Sequence, residues 1–185
     1  MLPLLRGDFG REYRYVESCP STQRLLGPDD AEGTVAVAEE QTEGRGRLGR
    51  RWHAPAGTSI LCSILLRPAA PPERLPELTL VAARACADAV TRQTGLAATV
   101  KEPNDVLIGG RKAAGILGEA KEGYVVLGIG INVNVAASEL PRRVEIPATS
   151  LLEESGGRVP RAPLLAVLLE RLEYGYRAWV QSLER

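Results

Sequence analysis

The chain has 185 residues, 44% apolar and 25% charged, which suits one globular domain with a sizeable core. Its 23 basic and 23 acidic side chains cancel, so bulk charge indicates neither a nucleic-acid nor a membrane partner, and any cationic site must be local. No stretch approaches the ~18 apolar residues of a membrane span, and no N-terminal signal segment is evident. The expectation is a cytoplasmic protein in which Cys19, Cys62 and Cys86 are small buried hydrophobes rather than metal ligands or disulfides.

In chain order, the pattern predicts a strand around Tyr13–Glu17 and a short helix opened by Ser21-Thr22-Gln23, with Ser21 as its N-cap. A strand follows over residues 34–40, then a Gly/Arg-rich loop over 44–58. The near-continuous apolar run 59–67 reads as a buried strand. A helix is predicted from about Leu75 to Thr94, with Pro76 in its first turn and Gly95 just past its end. Residues 97–127 read as three strands, Gly109-Gly110 marking a hairpin, and the run from Tyr124 continues the sheet. Residues 136–162 read as irregular, and a last helix runs from about Pro163 to Ser182. Hairpins with only two long helices imply an α+β fold: a mixed, largely antiparallel sheet with helices packed on it.

Two segments carry chemistry. Residues 44–52, GRGRLGRRW, hold four arginines and three glycines. Glycine admits close backbone approach, arginine offers bidentate donors for carboxylate or phosphate, and Trp52 can stack on a planar group. The segment matches G-x-G-x-x-G, yet no helix follows, so the dinucleotide reading fails. An anion-binding loop, an exposed arginine loop and an RNA-contacting loop all remain open from composition. In Lys101-Glu102-Pro103-Asn104-Asp105, Pro-Asn-Asp is turn chemistry. It also places Asn104 and Asp105 beside Lys112 of the next strand, where a carboxylate orients a lysine or holds a divalent metal. His53, the only histidine, has no evident acid partner and reads as incidental.

Taken together, Ser21-Thr22-Gln23, AEEQT before GRGRLGRRW, KEPNDV, GRKAAGIL, GIGINVN and ATSL at 148–151 resemble the catalytic domain of biotin protein ligases, from about residue 12 to the end. The resemblance implies a fold related to class II aminoacyl-tRNA synthetases and lipoate ligases. It implies adenylation of biotin with ATP and Mg2+, without a tightly bound prosthetic group, and transfer to a lysine of a biotin carboxyl carrier domain. Carried over, Ser21, Thr22, Gln23 and Gln41 hold the ureido ring of biotin. Gly44, Arg45, Gly46 and Arg47 close over biotin and the adenylate. Lys112 contacts the biotinyl carboxyl and α-phosphate, with Arg47 as its catalytic companion. Arg47, Arg50, Trp52, Asn104 and Asn132 serve the nucleotide, and Asp105 the metal.

The alternatives are a lipoate or octanoate ligase, an impaired biotin- or adenylate-binding protein, and an RNA-binding module. A single catalytic domain is expected, without the N-terminal helix-turn-helix or C-terminal small β domain of many relatives. Specific DNA binding is not expected, and a homodimer is left open. Glu102 stands where the family has tryptophan. A carboxylate ~6 Å from a phosphate at an effective dielectric of ~20 repels it by about 3 kcal/mol, so slower adenylation is expected.

Overall fold

The computed structural model describes residues 4–141 and 144–184. Seven strands form one sheet: β1 Tyr13–Cys19, β2 Val35–Gln41, β3 Ile60–Leu66, β4 Ala98–Lys101, β5 Asp105–Ile108, β6 Arg111–Lys121 and β7 Tyr124–Ile131. Their spatial order is β1-β2-β3-β7-β6-β5-β4. Only β1 and β2 run parallel; every other neighbour pair is antiparallel. The α+β, largely antiparallel expectation is therefore met.

One face of the sheet carries the core. Alternate residues of β3 (Ile60, Ile64, Leu66) and β7 (Leu127, Ile129, Ile131) pack with helices α1 (Glu77–Thr94) and α3 (Arg161–Leu183). Alternation sets these residues on one face, while β3 is buried along its whole length and Leu26, Ala36, Leu65 and Val126 form a smaller cluster on the other face. Gly95, at φ 74, ends α1 with its N–H donating to the Thr91 carbonyl at 2.8 Å, the left-handed C-terminal cap that glycine adopts without a Cβ penalty. Gly109 and Gly110, at φ 55 and 78, form the β5–β6 hairpin as a two-residue turn with both centres left-handed.

The N-terminal segment is tied to the far end of the chain. Buried Glu173 of α3 accepts from the backbone N–H groups of Asp8 at 2.8 Å and Phe9 at 3.2 Å, and it also pairs with Arg177. A Cβ on Gly7 would sit 1.9 Å from the Glu173 carboxylate.

Three sequence expectations are corrected here. Ser21 precedes a single 3-10 turn, Thr22–Leu25, and makes no side-chain cap, because a turn this short leaves few amides for a cap to satisfy. Pro76 stands before α1 rather than inside its first turn. The stretch read as irregular contains α2, Leu151–Ser155, capped by Ser150 accepting from the Glu153 N–H. Five residues are too few to show a helical period. That stretch also includes residues 142 and 143, which lie outside those described. Among the described residues, no helix is long and apolar enough to cross a membrane.

Candidate active site

The other face of the sheet is hollow because of what alternates on it. Ser63, Gly128, Gly130, Gly115 and Leu117 occupy the face opposite the helices. Gly130 lies in register with Gly115, and Gly128 with Ser63 and Leu117. With no side chains at the three glycines, a cleft of about 350 Å3 opens over the sheet centre. It lies within the range of small-ligand sites, about 300–1,000 Å3. Ser21, Thr22, Gln23, Gln41, Arg45, Gly46, Arg47, Arg50, Trp52, Asn104, Asp105, Lys112 and Asn132 all line it. Of the residues expected from sequence, only Gly44 is not on its wall. Gly44 lies behind it, where a Cβ would meet the Trp52 carbonyl at 2.3 Å.

At the floor, Trp52 lies against the glycine pair. A Cβ on Gly130 would be 2.6 Å from the indole, and one on Gly115 would be 3.1 Å from it. The indole Nε1 is buried and has no hydrogen-bond partner among the described residues. Lys112 Nζ stands 5.8 Å from the Trp52 ring centroid, within cation–π range, and 2.6 Å from Asp105 Oδ1. Both side chains are largely buried, at 27% and 15% exposure. Asp105 is therefore the counter-ion of the lysine, although its buried Oδ1 meets no donor in hydrogen-bond geometry among the described residues. Lys112 is further fixed by its backbone, which donates to the Pro147 carbonyl at 2.7 Å and accepts from the Thr149 N–H at 2.9 Å.

The polar end is formed by neutral groups. Gln41 Oε1 accepts from the Thr22 N–H at 2.8 Å and hydroxyl at 3.1 Å, and the Thr22 and Ser63 hydroxyls are 2.7 Å apart. Gln23 is held by the protein at both ends of its amide. Its Nε2 donates to the carbonyls of Leu117 (3.0 Å) and Val126 (3.4 Å), and its Oε1 accepts from Arg45 at 3.3 Å.

The arginine loop is a small closed hairpin. Arg45 bridges to Arg51, the Gly46 N–H donates to the Arg50 carbonyl at 2.7 Å, and the Trp52 N–H donates to the Gly44 carbonyl at 2.9 Å. Leu48 at φ 57 and Gly49 at φ 73 make the turn, and Leu48 is 85% exposed. Every arginine of the loop has a protein partner: Arg45 with Glu119 at 2.8 Å, Arg47 with Asn104 Oδ1 at 2.9 Å, Arg50 with Glu145 at 3.5 Å, and Arg51 with the Thr42 carbonyl at 2.9 Å. Asn104 in turn donates to the Ile116 carbonyl, and Asn132 to that of Thr149, each at 3.0 Å.

Glu102 departs from expectation. It borders the mouth of the cleft, yet its side chain is 68% exposed and meets Arg84 of α1 at 3.8 Å. Solvent and that arginine screen its charge, so the expected repulsion of phosphates is not supported. His53 lines the cleft without an acid partner among the described residues. Gly115, Gly128, Gly130, Glu119 and Glu145 went unassigned in the sequence reading. The first four follow the period of two along β6 and β7, whereas Glu145 has no local pattern to reveal it. Among the described residues, no group of three or more His, Cys, Asp or Glu gathers as a metal site.

Residues 15–135 match the model of the biotin/lipoate A/B protein ligase family. The chain belongs to that family. Among curated proteins, it is 38% identical over 180 residues to the bifunctional ligase/repressor BirA of Bacillus subtilis, covering 92% of this chain and 55% of the relative. It is 40% identical over 158 residues to the biotin–[acetyl-CoA-carboxylase] ligase of Mycobacterium tuberculosis, covering 81% and 56%. The chain thus spans about half the length of these relatives. Among solved structures, the biotin protein ligase of Aquifex aeolicus in complex with biotin and ATP superposes with a TM-score of 0.82 at 32% identity, covering 92% of this chain and 72% of that one. The biotin protein ligase of Leishmania major in complex with biotinyl-5-AMP gives 0.72 at 26% identity, covering 94% and 80%.

Proposed function

We propose that this chain is the ligase domain of a biotin protein ligase. It joins biotin to ATP, giving biotinyl-5′-AMP and pyrophosphate, and then passes biotin to a lysine of a biotin carboxyl carrier domain. The observation that carries this reading is one cleft holding a neutral polar pocket at one end and a half-buried lysine under an arginine loop at the other. Relatives of the same fold bind biotin, ATP and biotinyl-5-AMP in their solved complexes.

In the first step a biotin carboxylate oxygen attacks the α-phosphorus, and the bond to the pyrophosphate oxygen breaks. The substrate supplies the nucleophile, so the protein's task is to align two anions and stabilise the charge developing on phosphorus. Lys112, held by Asp105, is placed for that charge, with Arg47 entering from the loop. Ser21, Thr22 and Gln41 present neutral donors and acceptors suited to a urea, while Gln23 braces the pocket and Arg45. Trp52 offers an aromatic surface to the nucleotide, and Arg50 and Asn132 border it. In the second step the carrier amine attacks the acyl carbon, AMP departs with the bonding electrons, and the amine releases a proton.

Asp105 and Asn104 are oxygen donors that suit Mg2+ arriving with nucleotide phosphates, since Mg2+ is usually bound through one or two carboxylates plus phosphate. Such an ion would supply charge neutralisation there, beside the Lys112–Asp105 pair. The solvent-directed Glu102 removes one of the two grounds for an impaired binder. We also infer a cytoplasmic protein.

Biotin-dependent exchange of labelled pyrophosphate into ATP tests the reading. Exchange with biotin, and not with lipoate or octanoate, is expected. Equal or greater exchange with lipoate overturns the substrate, and none with any acid overturns the enzyme.

A further inference from the structure

We propose that Glu119 is a positioning residue that latches the arginine loop to the sheet, making Arg45 the post of the loop and leaving Arg47 as its working charge. Glu119 follows Gly115 and Leu117 at a period of two, which places it on the cleft face of β6. The pairing of β5 with β6 extends only to Asp105 opposite Gly115, so beyond that point β6 borders the loop. The Glu119 carboxylate is 2.8 Å from Arg45 Nη2, with 21% of the glutamate side chain exposed, and its other oxygen is 3.7 Å from Lys121.

No other loop arginine has a comparable anchor. Arg47 meets the neutral amide of Asn104. Arg50 meets Glu145 with both side chains well exposed, at 65% and 75%. Arg51 bonds a carbonyl at the base of its own hairpin. Arg45 alone ties the loop to the sheet through an ion pair, and it is doubly held because Gln23, itself fixed to β6 and β7, accepts from the same Nη2. Exposed ion pairs usually contribute little because two flexible side chains must be ordered. Here the carboxylate rises from a strand interior and is mostly covered, so less order is lost on pairing. Neutralised by Glu119, Arg45 holds the base of the loop, while Arg47, opposed by no carboxylate among the described residues, is available to an incoming anion.

The test uses Glu119→Ala and Glu119→Gln in the full chain. Hydrogen exchange of residues 44–52 is measured without ligand, and pyrophosphate exchange is measured across biotin concentrations. In Glu119→Ala the loop amides should exchange at least tenfold faster while those of α3 stay unchanged, and Glu119→Gln should fall between. The KM for biotin should rise about tenfold with kcat within threefold, since the latch acts before chemistry. Loop exchange within twofold of the parent protein, a rise shared by α3, or an unchanged KM each overturns the proposal. The kinetic arm rests on the ligase reading. If the parent shows no biotin-dependent exchange, that reading fails, and the ligand-free hydrogen exchange still decides the latch.

Discussion

Gly130→Ala should damage the site far more than the fold. The new Cβ would lie 2.6 Å from Trp52 Cε2 and 2.9 Å from both Cζ2 and Nε1, against an ordinary contact of 3.4 Å or more. The indole must therefore shift by about 0.8 Å. The Trp52 backbone is fixed, its amide N–H donating to the Gly44 carbonyl, so the shift falls on the indole side chain and displaces it within the cleft it lines. Overpacking of this kind costs about 1–3 kcal/mol, and a ~1 Å misplacement in a reacting site costs about a hundredfold in rate. We expect kcat/KM for adenylation to fall about a hundredfold, or ~2.7 kcal/mol, with a modest loss in Tm. Gly115→Ala, where the shortfall is near 0.3 Å, should cost less than about tenfold. The decisive measurement is a double-mutant cycle with Trp52→Ala, in which Gly130→Ala should become nearly silent. Additive losses in adenylation would refute the idea that Gly130 acts through the indole.

Lys112→Ala should lower kcat for adenylation by about a hundredfold or more, roughly 3–4 kcal/mol, and leave biotin affinity by calorimetry much less changed; a fall under tenfold would make the lysine peripheral. Glu102→Trp should change pyrophosphate exchange by less than about threefold, under 1 kcal/mol, because the glutamate is turned to solvent and Arg84; a large gain would return it to the site. Glu173→Ala removes the acceptor for two backbone amides and should cost about 3 kcal/mol, a Tm loss of roughly 6–12 °C by scanning calorimetry. Burial pushes the Cys62 thiol up to about 12 and raises those of Cys19 and Cys86. All three thiols therefore stay protonated at pH 8, and mass spectrometry should show slow alkylation of the native protein and rapid alkylation of the unfolded one.

The long elements were legible because they repeat. The stripe of α1, the apolar run of β3 and the Gly109-Gly110 turn each state a local rule that the fold obeys. Lys112 and Asp105 were legible as neighbours because a hairpin fixes which residues face each other. Glu102 was misread because its identity shows a charge but not a direction, and the partner that draws it outward, Arg84, lies on a different element. Arg50 and Glu145 meet across 95 residues of sequence, a distance that no local pattern spans. The glycines of β6 and β7 were visible as letters. Their purpose, a floor for Trp52, appears only once the register pairs Gly115 with Gly130.

The clasp between the N-terminal segment and Glu173 bears on how the molecule is made. Its hydrogen bonds join residues 164 and 165 positions apart, so during vectorial synthesis the first segment emerges long before its acceptor exists. Until α3 clears the ribosome, the Asp8 and Phe9 amides lack their native partner, and the helix-facing side of the sheet lacks half its cover. Contacts of such long sequence separation form late and slowly. Completion of the sheet core and docking of the N-terminal segment should therefore coincide with the emergence of α3, the point at which this domain becomes resistant to proteolysis.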